Sequence, residues 1–128
     1  MNRRQLILSL VLAVGCVIAR AGDTLPYSQG QFDTLSRQGK PVVVAVHASW
    51  CPTCKAQKPI LNQLMHAPAY HAVTLLLIDF DRDKPLLTHY RVDMQSTLIA
   101  FKGGREMART VGDTSPDGIE RLVKASLP

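Results

Sequence analysis

The feature that most constrains this chain is a pair of cysteines placed where a buried strand passes into a helix. Val42 to Lys55 reads VVVAVHASWCPTCK. A continuous run of β-branched and small apolar residues is typical of a strand buried on both faces. From Cys51 to about His66, helical spacing is shown by four apolar residues: Ile60, Leu61, Leu64 and Met65. The sequence therefore predicts a dithiol at the junction of a central strand and a helix.

This position gives the two cysteines different chemical roles. The first turn of a helix carries unpaired N–H groups and the positive end of the helix dipole, and both favour a thiolate over a thiol. Pro52 suits such a turn, where its missing N–H costs nothing. Cys51 lies outermost on that turn and is the predicted nucleophile, because the thiolate attacks a disulfide. Cys54 lies nearly one turn later, close enough to resolve a mixed disulfide.

A lone CxxC motif is also found as half of a zinc site. A structural zinc ion needs four ligands, and the sequence has no second cysteine pair. The four histidines show no HxxxH spacing: His47, His66, His71 and His89. We therefore assign no metal ligands from spacing, although a metal-binding module stays open as the alternative function.

Length and charge indicate one domain with no strong electrostatic preference. The 128 residues suffice for a single hydrophobic core. The net charge of +5 is unevenly placed, because Arg3, Arg4 and Arg20 lie in a first stretch of 21 residues that holds no acidic residue. The remainder is nearly balanced and shows no basic stripe, so we predict no nucleic-acid partner.

Residues 1–21 are predicted to be a secretory signal. They combine a basic start, an apolar run from Leu6 to Ala19 and small residues at Ala19 and Ala21. Cleavage after Ala21 would leave a domain of residues 22–128, exported to the periplasm. Two alternatives are an uncleaved membrane anchor and lipidation at Cys16. Cleavage would remove Cys16 and leave an even cysteine count, which suits a disulfide in an oxidising compartment.

The rest of the chain alternates predicted strands and helices. A weak strand and a helix begun by Ser28 precede the central strand, and Pro59 is expected to kink the long helix or open a gap in its hydrogen bonding. Further elements are predicted as strands at 73–80, 97–102 and 105–110, with Gly103-Gly104 as a hairpin turn, and as helices at 85–90 and after Ser115. This order predicts a three-layer α/β fold with a mixed sheet of four to five strands.

Three acidic residues at alternate positions follow the strand at 73–80: Asp79, Asp81 and Asp83. Alternate acids can belong to a calcium loop. The EF-hand pattern also needs a glycine at the turn and a closing glutamate, and neither lies at the required spacing. The sequence therefore favours a solvated strand end.

The chain resembles exported bacterial proteins of the thioredoxin family. The resemblance rests on Trp50-Cys51-Pro52-Thr53-Cys54-Lys55, Asp79-Phe80-Asp81, Tyr90-Arg91-Val92, Thr97-Leu98, Phe101-Lys102-Gly103-Gly104 and Val111-Gly112. It implies a thioredoxin-like fold and thiol–disulfide exchange at Cys51 and Cys54. It also implies that Trp50, Pro52, Ser96 and Thr97 bind the substrate, and that no cofactor is needed.

The chain departs from the family pattern at four positions. The family usually has a cis-proline where this chain has Ser96, so the Gln95–Ser96 peptide is expected to be trans. A buried aspartate and its lysine partner are replaced by Ala45 and Leu77. A tryptophan is replaced by His47, which is either a packed core residue or a titrating modulator of the dithiol. From the departure at Ser96, Ser96→Pro is expected to raise disulfide-reductase turnover with a general protein substrate and to lower any affinity of the reduced dithiol for Zn or Cu(I).

The sequence predicts two alternative functions. The first is a periplasmic thiol–disulfide oxidoreductase, a monomer, that exchanges disulfides with partner proteins and receives electrons from a membrane or periplasmic donor. The second is a module that holds Cu(I) or Zn at the dithiol, with help from His47 or from the space at Ser96. Trp50 and Tyr70 are candidates for a docking surface, although Tyr70 also fits a packing role. Whether the protein reduces or oxidises its partners does not follow from the sequence.

Overall fold

A computed structural model describes residues 22–128, and the predicted signal, with Cys16, lies outside these residues. Five strands and four α-helices are found in the described part. The elements are β1 Thr24–Pro26, α1 Gln29–Arg37, β2 Pro41–His47, α2 Pro52–His66, β3 Thr74–Asp79, α3 Lys84–Tyr90, β4 Thr97–Lys102, β5 Arg105–Val111 and α4 Pro116–Lys124. Among these residues, no helix is both long and apolar enough to span a bilayer.

The strands form one mixed sheet in the order β1-β3-β2-β4-β5. Strands β1, β3 and β2 are parallel, and β4 and β5 are antiparallel to their neighbours. The predicted α/β class and terminal hairpin are confirmed. Strand β2 lies at the centre, with Ala45 opposite Leu77 on one side and Leu98 on the other.

Helices cover both faces of the sheet, which confirms the three-layer arrangement. Alternate residues of β2 point to opposite faces. Val43 and Ala45 pack in a core with α2 and α4, whereas Val42, Val44 and Val46 pack in a second core with α1 and α3. The uninterrupted apolar run of β2 therefore serves two cores at once, as expected of a strand buried on both faces.

Local signals in the sequence set the element ends as predicted. Ser28 Oγ accepts a hydrogen bond from the Gln31 N–H at 3.1 Å, and Ser115 Oγ accepts one from the Gly118 N–H at 3.1 Å. Gly103 and Gly104 turn the hairpin with φ angles of 56° and 80°, which a type I′ turn requires. These caps and turns depend on residues a few positions apart, so they are readable from the sequence.

Helix α2 continues through Pro59 without interruption. Pro59 has no N–H to donate to the preceding turn, so the expected gap of one hydrogen bond follows from its chemistry. The residues beyond it pack in the core: Leu61, Leu64 and Met65. The helix ends at His66, and a short 3₁₀ turn follows at Pro68–Tyr70. Tyr70 is buried and its hydroxyl donates to Glu120 at 2.5 Å, which confirms it as a packing residue.

The acidic residues after β3 organise the strand exit. Asp79 Oδ1 accepts from the backbone N–H groups of Asp81 and Arg82, and the Asp79 N–H donates to Asp83 Oδ2. Burial raises the pKa of Asp79, but the two accepted hydrogen bonds, together with the charges of His47 and Arg82, outweigh it and hold the pKa below its usual value. The carboxylates therefore stabilise a turn, in agreement with the prediction of a solvated strand end.

Candidate active site

The dithiol lies at the N-terminal end of α2, directly after the loop that leaves β2. Cys51 is the N-cap residue of the helix, and its Sγ accepts a hydrogen bond from the Cys54 N–H at 3.1 Å. Both cysteines are free thiols. A helix-start N–H that points at Sγ stabilises negative charge on that sulfur, so the geometry suits Cys51 as the attacking thiolate.

Both sulfur-bearing residues are buried, which the sequence did not indicate. Cys51 is 1% exposed and Cys54 is 8% exposed. Cys51 was expected to lie outermost on the turn, but it is the less exposed of the two. It packs in a small cluster with Ala48 and Cys54, against Phe80. The side chain of Cys51 is thus almost fully covered in this structure.

Burial has a chemical consequence for Cys54. It raises the pKa of Cys54 to about 11, with further contributions from the hydrogen bond to Cys51 and from the charge of Cys51, while backbone groups of Ala48 and Ser96 oppose the shift. Cys54 is therefore a protonated thiol at neutral pH. It must lose its proton before it can attack a mixed disulfide, which fits the later, resolving step.

Ser96 lies beside the dithiol and has a left-handed backbone. The described residues contain no cis peptide bond, so the Gln95–Ser96 peptide is trans, as expected. Ser96 has a φ of 63° and its N–H donates to Val46 O at 2.7 Å. The same carbonyl lies 4.0 Å from Cys54 Sγ. The Ser96 hydroxyl donates to the carbonyl of Gln95.

This conformation does not support the expectation that Ser96→Pro raises turnover. Proline fixes φ near about −65° and has no N–H. The observed backbone has a φ of 63° and uses the N–H of Ser96 in a hydrogen bond to Val46. Proline therefore cannot replace Ser96 without a rearrangement of the loop beside Cys54.

The other predicted substrate-binding residues differ in exposure. Trp50 is 54% exposed, its Nε1–H donates to Asp81 Oδ2 at 2.8 Å, and its ring contacts Phe80 edge-on. Pro52 is exposed next to Cys51. Thr97 is buried and its hydroxyl donates to Met94 O at 2.7 Å. Only Trp50 and Pro52 thus present side chains to a partner, and the binding roles stay predictions.

Gln57 is a site residue that the sequence analysis missed. Its side chain is buried on α2, one turn after Cys54, and its Nε2 donates to the carbonyls of Ser96 and Asp113 at 3.1 and 2.9 Å. A polar residue in the helix sequence KAQKP gives no sign of burial. The only signal was its spacing of three residues from Cys54, which places both side chains on one helix face.

A cavity of about 270 Å³ lies between α2 and the sheet, next to Cys54. Its walls include Ala45, His47, Leu61 and Leu77. Ala45 and Leu77 are register partners, so these two positions carry no charge, although Lys55 and Lys58 also line the cavity. His47 is half-buried and lines the same cavity as Cys54, which is consistent with either of the roles predicted for it.

The geometry does not support the metal-binding alternative. Within residues 22–128, no three side chains of His, Cys, Asp or Glu are grouped so that they could hold a metal ion. The site therefore offers a dithiol for sulfur chemistry and no further ligand set.

Comparison with known proteins agrees with this geometry. The family model described as Thioredoxin matches residues 23–125. Thioredoxin from Chlamydia trachomatis is 35% identical over 82 residues, which cover 64% of this chain and 78% of that protein. Thioredoxin-1 of Saccharomyces cerevisiae is 30% identical over 96 residues, which cover 75% of this chain and 90% of that protein.

Solved structures show the same similarity. The crystal structure of Trxlp from Edwardsiella tarda EIB202 superposes with a TM-score of 0.76 at 39% identity, and the match covers 78% of this chain and 98% of that one. The reduced thioredoxin pre-protein of Schistosoma mansoni gives a TM-score of 0.68 at 27% identity, covering 83% of this chain and 100% of that one. The fold therefore has clear counterparts among solved structures.

Proposed function

Because the chain belongs to the thioredoxin family and is a thiol–disulfide oxidoreductase, we propose that it exchanges disulfides with exported partner proteins through Cys51 and Cys54. The observation that carries the proposal is the hydrogen bond from the Cys54 N–H to Cys51 Sγ at 3.1 Å. It places a stabilised sulfur and a second thiol within one helical turn. No other arrangement in the described residues brings two thiols together.

The exchange proceeds in two steps. The Cys51 thiolate attacks one sulfur of a partner disulfide, and the other partner sulfur leaves as a thiolate and takes up a proton. Cys54 then loses its proton and attacks Cys51 Sγ, which forms the Cys51–Cys54 disulfide and releases the second partner thiol. A donor dithiol returns two electrons and restores the reduced protein. His47, in the same cavity as Cys54, stays a predicted modulator of this step.

A turnover measurement tests the proposed function. We expect residues 22–128 to accelerate the reduction of a protein disulfide such as that of insulin by dithiothreitol. The expected acceleration requires both thiols, so alkylated protein serves as the matched control. A rate equal to that with dithiothreitol alone would contradict the proposal.

We also propose that the protein works in the periplasm, where an oxidising environment makes a dedicated electron donor necessary. The support comes from the predicted signal at residues 1–21, and from the start of the family match at residue 23. The exported protein is expected to begin at Gly22, which intact-mass measurement of periplasmic extracts would detect. A mass of the full chain, or a lipid adduct on Cys16, would contradict cleavage after Ala21.

A further inference from the structure

Gln57 connects the dithiol helix to two loops that are distant in sequence. The side chain is 3% exposed. Its Nε2 donates to Ser96 O, before β4, and to Asp113 O, after β5. Both contacts join residues that are far apart in sequence. Each contact uses one of the two N–H bonds of the Gln57 side-chain amide. Gln57 therefore fixes the position of both loops relative to Cys51 and Cys54.

The Ser96 loop needs such support because its backbone is strained. A left-handed conformation is unfavourable in a residue other than glycine, because Cβ comes too close to the following carbonyl oxygen. The surrounding structure holds it by bonds to each end of the residue: the Ser96 N–H donates to Val46 O, and the Ser96 carbonyl accepts from the Gly112 N–H at 3.1 Å and from Gln57. Among these hydrogen bonds, only that of Gln57 comes from a side chain.

Exposed apolar residues lie close in sequence to both loops and to the dithiol. Met94, two residues before Ser96, is 51% exposed, and Val111, at the end of β5, is 57% exposed. Val111 pairs with Thr97 across the sheet edge, so the two loops are adjacent. Trp50, the residue before Cys51, is 54% exposed. Large exposed apolar side chains that flank the residues bound by Gln57 are suited to contact with a protein partner.

We propose that Gln57 is a positioning residue for partner binding: its hydrogen bonds to Ser96 and Asp113 hold the apolar groups of both loops in fixed relation to the dithiol. This inference rests on the proposed function. Gln57 takes no part in the sulfur chemistry. It determines how well a large partner presents its disulfide to Cys51, whereas a small disulfide makes no use of the loops.

The test compares a large and a small substrate in the variant Gln57→Met, which keeps the length of the side chain and removes both donors. The control is Gln63→Met on the exposed face of the same helix. We expect Gln57→Met to raise the KM for a protein disulfide about five- to tenfold, as expected for the loss of one or two buried hydrogen bonds. The kcat for the protein disulfide, and the rate with 5,5′-dithiobis(2-nitrobenzoate), should stay within about twofold of the wild type.

Each outcome has one meaning. Equal losses with both substrates, or no loss with either, would contradict the positioning role while leaving the proposed function intact. A wild-type protein that reduces neither substrate would contradict the proposed function and this inference with it. If Gln57→Met does not fold, Gln57→Leu serves as the second variant, and its rate with the small disulfide reports whether the dithiol is intact.

Discussion

The variant Cys54→Ser accumulates mixed disulfides with partner proteins, whereas Cys51→Ser forms none and loses disulfide-reductase turnover by about a thousandfold or more. The reason is the order of attack. Cys51 Sγ receives the helix-start N–H of Cys54, whereas burial raises the pKa of Cys54 to about 11. Without Cys54, the first step proceeds and the second cannot. Non-reducing electrophoresis and mass spectrometry of the purified variants measure the adducts.

The double variant, Cys51→Ser with Cys54→Ser, is the matched control, because it keeps the volume of both side chains nearly unchanged. It should form no adduct. Adducts on Cys51→Ser in place of Cys54→Ser would reverse the two roles. That result would also mean that the greater exposure of Cys54, 8% against 1% for Cys51, decides which sulfur attacks.

Ser96→Pro is expected to lower the free energy of unfolding of the reduced protein by about 2–3 kcal/mol. The substitution removes the N–H that donates to Val46 O at 2.7 Å, and proline cannot adopt a φ of 63°. The buried carbonyl of Val46 is then left without this donor. Chemical denaturation of the wild type and the variant, both reduced, measures the difference.

Ser96→Gly is the matched control for the backbone argument. Glycine keeps the N–H and adopts a positive φ without strain, so its cost should stay within about 1 kcal/mol. If Ser96→Pro is as stable as the wild type, the loop beside Cys54 has a second arrangement of similar free energy. The assigned hydrogen bond from Ser96 to Val46 would then not be needed for stability.

The parts of the fold that follow from short-range patterns could be predicted. The apolar run of β2, the caps at Ser28 and Ser115 and the turn at Gly103 and Gly104 each depend on neighbouring residues, and the structure has all of them. The position of Cys51 at the start of α2 follows in the same way. A strand and a helix that are adjacent in sequence leave little choice about where their junction lies.

The parts that depend on distant contacts could not be predicted. Gln57 reads as an ordinary helix residue, and only the approach of residues 39 and 56 positions away makes it a buried donor. The left-handed conformation of Ser96 depends on Val46 and Gly112 in the same way. The burial of Cys51 depends on Ala48 and Phe80 around it. Each is a property of tertiary packing, which no local pattern encodes.

Ala45 and Leu77, which stand where the family has a charged pair, show what could and what could not be predicted from the sequence. The absence of charge was readable from the two residue types. The cavity of about 270 Å³ beside Cys54 could not be predicted from the sequence, because a core can close around smaller side chains or leave space. In this chain it leaves space, and His47 and Cys54 share it.

The reduction potential of the Cys51–Cys54 pair shows whether the two cysteines form one redox-active dithiol. Residues 22–128 are equilibrated in buffers with graded ratios of reduced to oxidised dithiothreitol or glutathione, and the free thiols are counted by alkylation and intact mass. We expect one two-electron transition in which both thiols disappear together into an intramolecular disulfide, and its midpoint assigns the protein as a reductant or an oxidant. Two thiols that stay alkylatable in fully oxidising buffer, or that oxidise independently of each other, would show that Cys51 and Cys54 do not act as a redox pair.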